Sequence, residues 1–187
     1  MAKHKVILVT DGDKAAKKAV EVAAKNIGGR CISASAGNPT YLKGEEIVEL
    51  INKAEHDPVV VMVDDRGEKG IGPGERAMEV ILKDSSLDVL GVVAVSSNGK
   101  ECNGLRVSCS ITKEGNIIEG AVDKYGNDTK REDMCGDTLS ILKREKNLVI
   151  VGIGDPGKMD YNDETEKGAP ITTMALNEVI KRSRYAN

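Results

Sequence analysis

The chain contains no phenylalanine and no tryptophan, and its aromatic side chains are four tyrosines. Base stacking needs aromatic platforms, so the common single-stranded RNA and DNA binders are excluded. The formal net charge is −3 over 187 residues, so no overall attraction to a phosphate backbone replaces the missing rings, and no nucleic-acid partner is expected. No run approaches the ~20 apolar residues of a membrane span. The start, MAKHKVILVTDGD, has basic residues but only a short apolar stretch cut off by acids. No signal peptide is expected there, and the chain reads as soluble. None of the four cysteines, Cys31, Cys102, Cys109 and Cys135, forms a C-x-x-C pair, and only His4 and His56 accompany them. A structural zinc site is therefore unsupported, and the cysteines read as ordinary reduced thiols of an intracellular protein.

What is present is a core of Val, Ile, Leu, Ala and Met, in a chain long enough to bury roughly 70% of its unfolded surface. Four continuous apolar runs, residues 6–9, 59–63, 89–95 and 148–153, read as strands buried on both faces of a parallel sheet. A weaker fifth run falls at 31–35. Between them lie helical patterns. Ala16, Val20, Ala23 and Ile27 share one face, with Asp13 as N-cap and Gly28-Gly29 as stop. Ile47, Leu50, Ile51 and Ala54 repeat at helical spacing, as do Ala77, Val80 and Ile81. A last helix starts near Pro170, a residue suited to a first turn. Alternating strands and helices predict right-handed crossovers and an α/β three-layer sandwich with a mostly parallel central sheet, Rossmann-like or Toprim-like. The rhythm then breaks. LRVSCSITKEGNIIEGAVD reads as a β-hairpin inserted near 105–122, with Glu114-Gly115-Asn116 at its turn, and 123–137 is polar and loop-like. Residues 1–187 read as a single α/β domain with 98–137 a hairpin and loop insertion within it.

Two glycine clusters invite a nucleotide reading. Gly152-Ile153-Gly154-Asp155-Pro156-Gly157 follows a strand and has the outline G-x-G-x-x-G. A dinucleotide fingerprint needs a helix to begin at once and an acid at the end of a following strand. Here a polar loop runs to Pro170 and one helix remains, so the motif reads as a glycine-rich turn leaving a buried strand. Gly70-Ile71-Gly72-Pro73-Gly74 precedes a helix but lacks the Lys-Ser/Thr of a P-loop. Its N–H groups could meet an anion at the helix start. Thr10, Gly70, Gly72, Gly74, Gly152 and Gly154 are thus the candidate ligand-binding residues.

The acids form a clearer pattern. Asp11 and Asp13 follow the first strand, Asp64 and Asp65 the strand at 59–63, and Asp155 the last strand. On parallel strands all five fall on the carboxyl rim, where open α/β sheets bind ligands. Clustered carboxylates suit Ca²⁺ or Mg²⁺, with Thr10, Arg66, Lys69 and Lys158 available to an anion beside it. Aspartate also caps helices and makes turns, which by itself accounts for Asp13. His4 and His56 precede strands, so both fall on the opposite rim, away from any nucleophile at the carboxyl edge. With no G-x-S-x-G elbow either, nucleophilic catalysis has no support and no catalytic residue is assigned.

Several blocks together carry a resemblance: ILVTDGD (7–13), IGGRCISASAGNPT (27–40), VDDRGEKGIGPGE (63–75), VDKYGN (122–127), VGIGDPGKM (151–159) and GAPITTMALNEVIKRS (168–183). The chain resembles the stage V sporulation protein AE family, in its soluble form encoded with the dipicolinate transport proteins of spore-forming Firmicutes. The likeness spans almost the whole chain and is least at 98–121. It implies a non-enzymatic part of the machinery that takes up Ca²⁺-dipicolinate during sporulation and releases it in germination. It implies partners among the other proteins of that channel complex, and a peripheral place at the inner membrane of spore or forespore, reached through those partners. It leaves a homo-oligomer open. An acidic rim beside glycine loops could hold calcium or calcium-dipicolinate.

The alternative is a Mg²⁺-dependent phosphoryl-transfer or hydrolase enzyme on a Toprim-like sheet. A Toprim site places a Glu after the first strand and D-x-D after a later one. Here Asp11-Gly12-Asp13 comes first and the Glu is missing. A nucleotide-binding regulator using the glycine loops is the third reading, weakened by the late helix after Gly157.

Overall fold

A computed structural model describes residues 3–68, 70–97 and 104–184. It is a mixed α/β fold. Its main sheet draws on β1 (His4–Val9), β2 (Arg30–Cys31), β3 (Val59–Met62), β4 (Leu87–Val95), β6 (Cys109–Ile111), β7 (Ile117–Ile118) and β9 (Val149–Ile153). Two further short strands, β5 (Leu105–Arg106) and β8 (Asp133–Met134), pair antiparallel in a separate ribbon. The helices are α1 (Lys14–Asn26), α2 (Gly44–Asn52), α3 (Pro73–Lys83) and α4 (Pro170–Ser183).

The main sheet has seven strands in the order β2-β3-β1-β4-β9-β6-β7. All pairs are parallel except β6 with β7. Side chains alternate across each strand. Val6, Leu8, Val59, Val61, Val92, Ala94 and Ile150 therefore face one core, shared with Ile47 and Ile51 of α2 and Met78 and Ile81 of α3. Ile7, Val9, Val60, Met62, Val93, Val151 and Ile153 face the other, shared with Val20 and Ala23 of α1 and Ala175 and Val179 of α4. Each fully buried Val, Leu or Ile contributes roughly 1.5–3 kcal/mol relative to exposure, which explains why continuous apolar strands dominate this chain. Helices on both faces follow from connection direction. The β1-to-β2 crossover runs one way along the sheet, whereas β2-to-β3 and β3-to-β4 run the other.

Local signals act where expected. Asp13 is the N-cap of α1, accepting from the Ala15 and Ala16 N–H groups at 2.8 Å. The chain leaves α1 through Gly28 at φ +73°. The hairpin turn falls between β6 and β7, and β6 lies parallel beside β9, so the hairpin extends the main sheet. Two expectations need correction. The weak strand at 31–35 survives only at Arg30–Cys31, and Ser33–Ser35 is a 3-10 turn. Ser35 Oγ donates to the Ile32 carbonyl and accepts the Met62 N–H, which closes that turn. The cysteines are not all reduced: Cys31 and Cys109 are free and buried, but Cys135 is disulfide-bonded. Spacing alone could not show this, because a disulfide joins residues brought together in space. Cys102 and Lys69 lie outside the described residues.

Candidate functional site

Strands β3, β1, β4 and β9 are consecutive and parallel, so their carboxyl ends form one edge. Asp11 and Asp13 leave β1 there, Asp64 and Asp65 leave β3, and Asp155 leaves β9. Thr10 is the latch between two of these strands: its N–H donates to Val93 and its Oγ1 accepts the Val95 N–H at 2.9 Å.

The five aspartates divide by what their oxygens accept. Asp64 bridges β3 to β1, accepting the Gly12 N–H at 3.1 Å and the Arg66 N–H at 2.7 Å. Asp65 is fully buried and turns the other way, to the start of α3, where it accepts the N–H groups of Gly74 at 2.7 Å and Glu75 at 3.3 Å. The two are adjacent in sequence yet serve different elements, because successive residues of an extended chain point to opposite sides. Asp11 Oδ1 accepts the Asp13 N–H at 3.0 Å. Asp13 spends one oxygen on the α1 cap and the other on Lys158 Nζ at 3.0 Å. Lys158 also stands 3.7 Å from Asp155, so it joins the β1 and β9 loops across the end of β4.

Burial dominates the electrostatics. It pushes Asp11 from an ordinary 3.8 up to about 7, partly offset by the Asp13 N–H and reinforced by the charges of Asp13, Asp64 and Asp155. Burial likewise pushes Asp64 and Asp65 to about 6. It raises Asp155, against the nearby Lys158. At Asp13 burial is outweighed by the Ala16 N–H and Lys158, which hold its carboxyl below the usual range. Asp11 therefore shares one field with Asp13, Asp64 and Asp155. Among the described residues, however, no group of three or more His, Cys, Asp or Glu side chains is arranged to hold a metal ion.

The glycine loops are occupied by the chain itself. A Cβ on Gly72 would collide with the Asp65 carboxylate, and one on Gly74 would lie 2.6 Å from the Asp64 backbone nitrogen. Asp65 stands where a bound anion would sit at a helix N-terminus, so this loop is closed by an internal carboxylate. Gly70, at φ +82°, has open space around it. In the second cluster, Gly152 packs on the Ser110 hydroxyl and Gly154 on the 124–126 loop, with its Cβ position 2.6 Å from the Gly126 nitrogen. The next residue, Asp155, donates its N–H to the Lys124 carbonyl at 2.8 Å. The glycines of G-x-G-x-x-G thus admit neighbouring backbone where a pyrophosphate would need room.

Three acids carry structure that sequence reading did not single out. Asp163 is fully buried and accepts from the N–H groups of Gly157, Ile171 and Thr172 and from the Thr172 hydroxyl. It caps α4 from seven residues before Pro170, an offset no cap rule covers. Glu75, also fully buried, accepts the Ser140 and Ile141 N–H groups through Oε1, while its Oε2 has no partner. Asp137 accepts the Gly67 N–H. Asp137 and Asp163 sit in polar loops and Glu75 in the first turn of α3, where an acid is ordinary, so none of them signals such partners in the sequence. The histidines behave as the topology predicts: His4 opens β1 at the opposite rim and bonds Asp57 at 2.9 Å. A shallow cavity of about 350 Å³ flanks the start of α1, lined by Lys14, Lys18, Gly157 and Glu164 among others, and touches none of the five aspartates.

Together these features define a mostly parallel α/β fold whose carboxyl rim is an acidic surface braced by its own backbone, with no nucleotide cradle among the described residues. The chain belongs to the stage V sporulation protein AE1 family, whose model matches residues 5–183. Its function is therefore tied to sporulation. Comparison with curated proteins and with solved structures finds no significant match. No helix among the described residues is long and apolar enough to cross a membrane.

Proposed function

We propose that this protein is a non-enzymatic component of the spore machinery that takes up and releases dipicolinate, held at the inner spore membrane by partner proteins. Family membership over 5–183 is the observation that carries the reading. The site chemistry is compatible with it. The rim carboxylates accept backbone N–H groups and Lys158, which leaves them bracing loops, and both histidines stand far from them. Such a rim supports a binding surface better than a reacting centre. Deletion of the gene tests the proposal. Spores of the deletion strain should contain less dipicolinate, or release it more slowly on germination, and complementation should restore both. Unchanged dipicolinate content and release would overturn it.

A second reading, metal-assisted phosphoryl transfer, is favoured by one feature: Asp11 and Asp64 face each other on the rim, and burial pushes their carboxyls up to about 7 and about 6. Its test is Mg²⁺-dependent turnover of a generic phosphodiester, abolished by Asp11→Ala and Asp64→Ala.

A further inference from the structure

The distribution of large apolar side chains in this molecule is unusual. Five are exposed: Tyr41, Ile71, Ile117, Tyr125 and Tyr161. Every one belongs to the carboxyl end of the main sheet. Tyr41 follows β2, Ile71 follows β3 and Tyr161 follows β9. Ile117 pairs with Ile111, the last residue of β6. Tyr125 sits in the loop whose Lys124 carbonyl holds Asp155. The opposite rim exposes none among the described residues. The chain has no Phe or Trp and four tyrosines in all. The three described tyrosines are 67%, 46% and 75% exposed, so none fills the core. Tyrosine is the side chain enriched where one protein surface meets another, because its ring gives contact area at low entropic cost.

The aromatic and acidic features are continuous. The Tyr41 ring lies against Gly37, whose carbonyl abuts Gly12 between Asp11 and Asp13. Lys158 links Asp13 to Asp155. Asp155 is tied to Lys124, whose Nζ lies 4.8 Å above the Tyr125 ring. The path runs from the β2 loop to the β9 loop, four strand steps, or about 20 Å at ~4.8 Å each. That is the length of about six extended residues.

We propose that this rim, with Tyr41 and Tyr125 on either side of Asp11, Asp13 and Asp155, is the docking face for an extended arginine- or lysine-rich segment of a partner protein. The inference rests on the docking reading above and names the surface and the partner's chemistry. Charge complementarity selects the occupant. Among the described residues, no lysine or arginine is ion-paired to Asp11, and Lys158 is the one cation within ion-pair distance of Asp13 and Asp155. A metal ion requires several carboxylates converging on one point, which this arrangement does not offer. A guanidinium or ammonium on a long arm needs one carboxylate and one ring face, and Lys124 over Tyr125 shows that such a ring already accepts a cation. A second copy of this chain would bring its own net negative charge.

The test uses the full chain and fluorescent octa-arginine at near-physiological salt, followed by anisotropy. Saturable binding is expected, weakened about tenfold or more in the Tyr41→Ser/Tyr125→Ser variant. The Tyr41→Phe/Tyr125→Phe pair, which keeps both ring faces, should bind like the parent. Asp155→Asn should weaken binding, and Glu55→Gln, on the opposite rim, should not. Absence of saturable binding, equal binding of octa-glutamate, binding unchanged by both the serine pair and Asp155→Asn, or a rim-mediated dimer that excludes the peptide would each overturn the proposal. The gene deletion reads separately: normal dipicolinate in the deletion strain defeats the functional reading and leaves the peptide result intact.

Discussion

Replacing Asp11 with asparagine should stabilise the protein, and should do so only where the native carboxyl is forced to ionise. Asp11 titrates at about 7 in the fold against 3.8 ordinarily, with burial as the main cause and the charges of Asp13, Asp64 and Asp155 adding to it. The native state therefore holds a proton that the unfolded chain has already released between those two values. Stability contributed by this group falls as pH rises through that window, because the unfolded state binds fewer protons. At ~1.36 kcal/mol per unit of pKa, the full penalty above pH 7 is ~4 kcal/mol, and partial solvent exposure reduces it to roughly 2–4 kcal/mol. Asparagine keeps the Oδ1 that accepts the Asp13 N–H and removes the charge. Urea unfolding of parent and Asp11→Asn at pH 5 and pH 8 measures the effect. The variant should gain roughly 2–4 kcal/mol at pH 8 and less than half of that at pH 5. Asp64 and Asp65, raised to about 6 by burial, slope the same way, so the variant retains a weaker decline with pH. A variant no more stable than the parent at pH 8, or one equally stabilised at both values, would refute the reasoning.

Other expectations follow from single contacts. Asp163→Ala leaves four donors without their acceptor, three at the start of α4 and one at Gly157, and should cost about 3–5 kcal/mol in chemical denaturation, with Asp163→Asn in between. Glu75→Ala leaves the Ser140 N–H and the buried Ile141 N–H without their acceptor and should cost about 2–4 kcal/mol in the same assay. Gly74→Ala drives a methyl into the Asp64 backbone and should destabilise by about 3 kcal/mol or more, visible as a lowered Tm. Thiol counting in denaturant without reductant should find fewer than four free cysteines, since Cys135 is already bonded.

The sequence by itself determined the local structure. Apolar runs, helical spacing, Asp13 ahead of α1 and Pro170 at the head of α4 all act within a few residues, so short-range sterics and capping suffice to read them. It also determined that the aspartates follow strands and the histidines precede them, which placed each set on its own rim once the strands ran parallel.

Only the tertiary structure decided which of those residues meet. The order β3-β1-β4-β9 is a set of long-range pairings, and it makes Asp11 and Asp64 neighbours while leaving Lys158 to reach across β4. The alternation of an extended chain sends Asp64 to Gly12 and Asp65 to α3, and so turns a glycine loop that looked ready for an anion into one already filled. The remote cap by Asp163, the bond at Cys135 and the gathering of Tyr41, Tyr125 and Tyr161 on one edge belong to the same class. Each depends on segments far apart in the chain, brought together only when burying Val, Ile and Leu on both faces of the sheet fixes its topology.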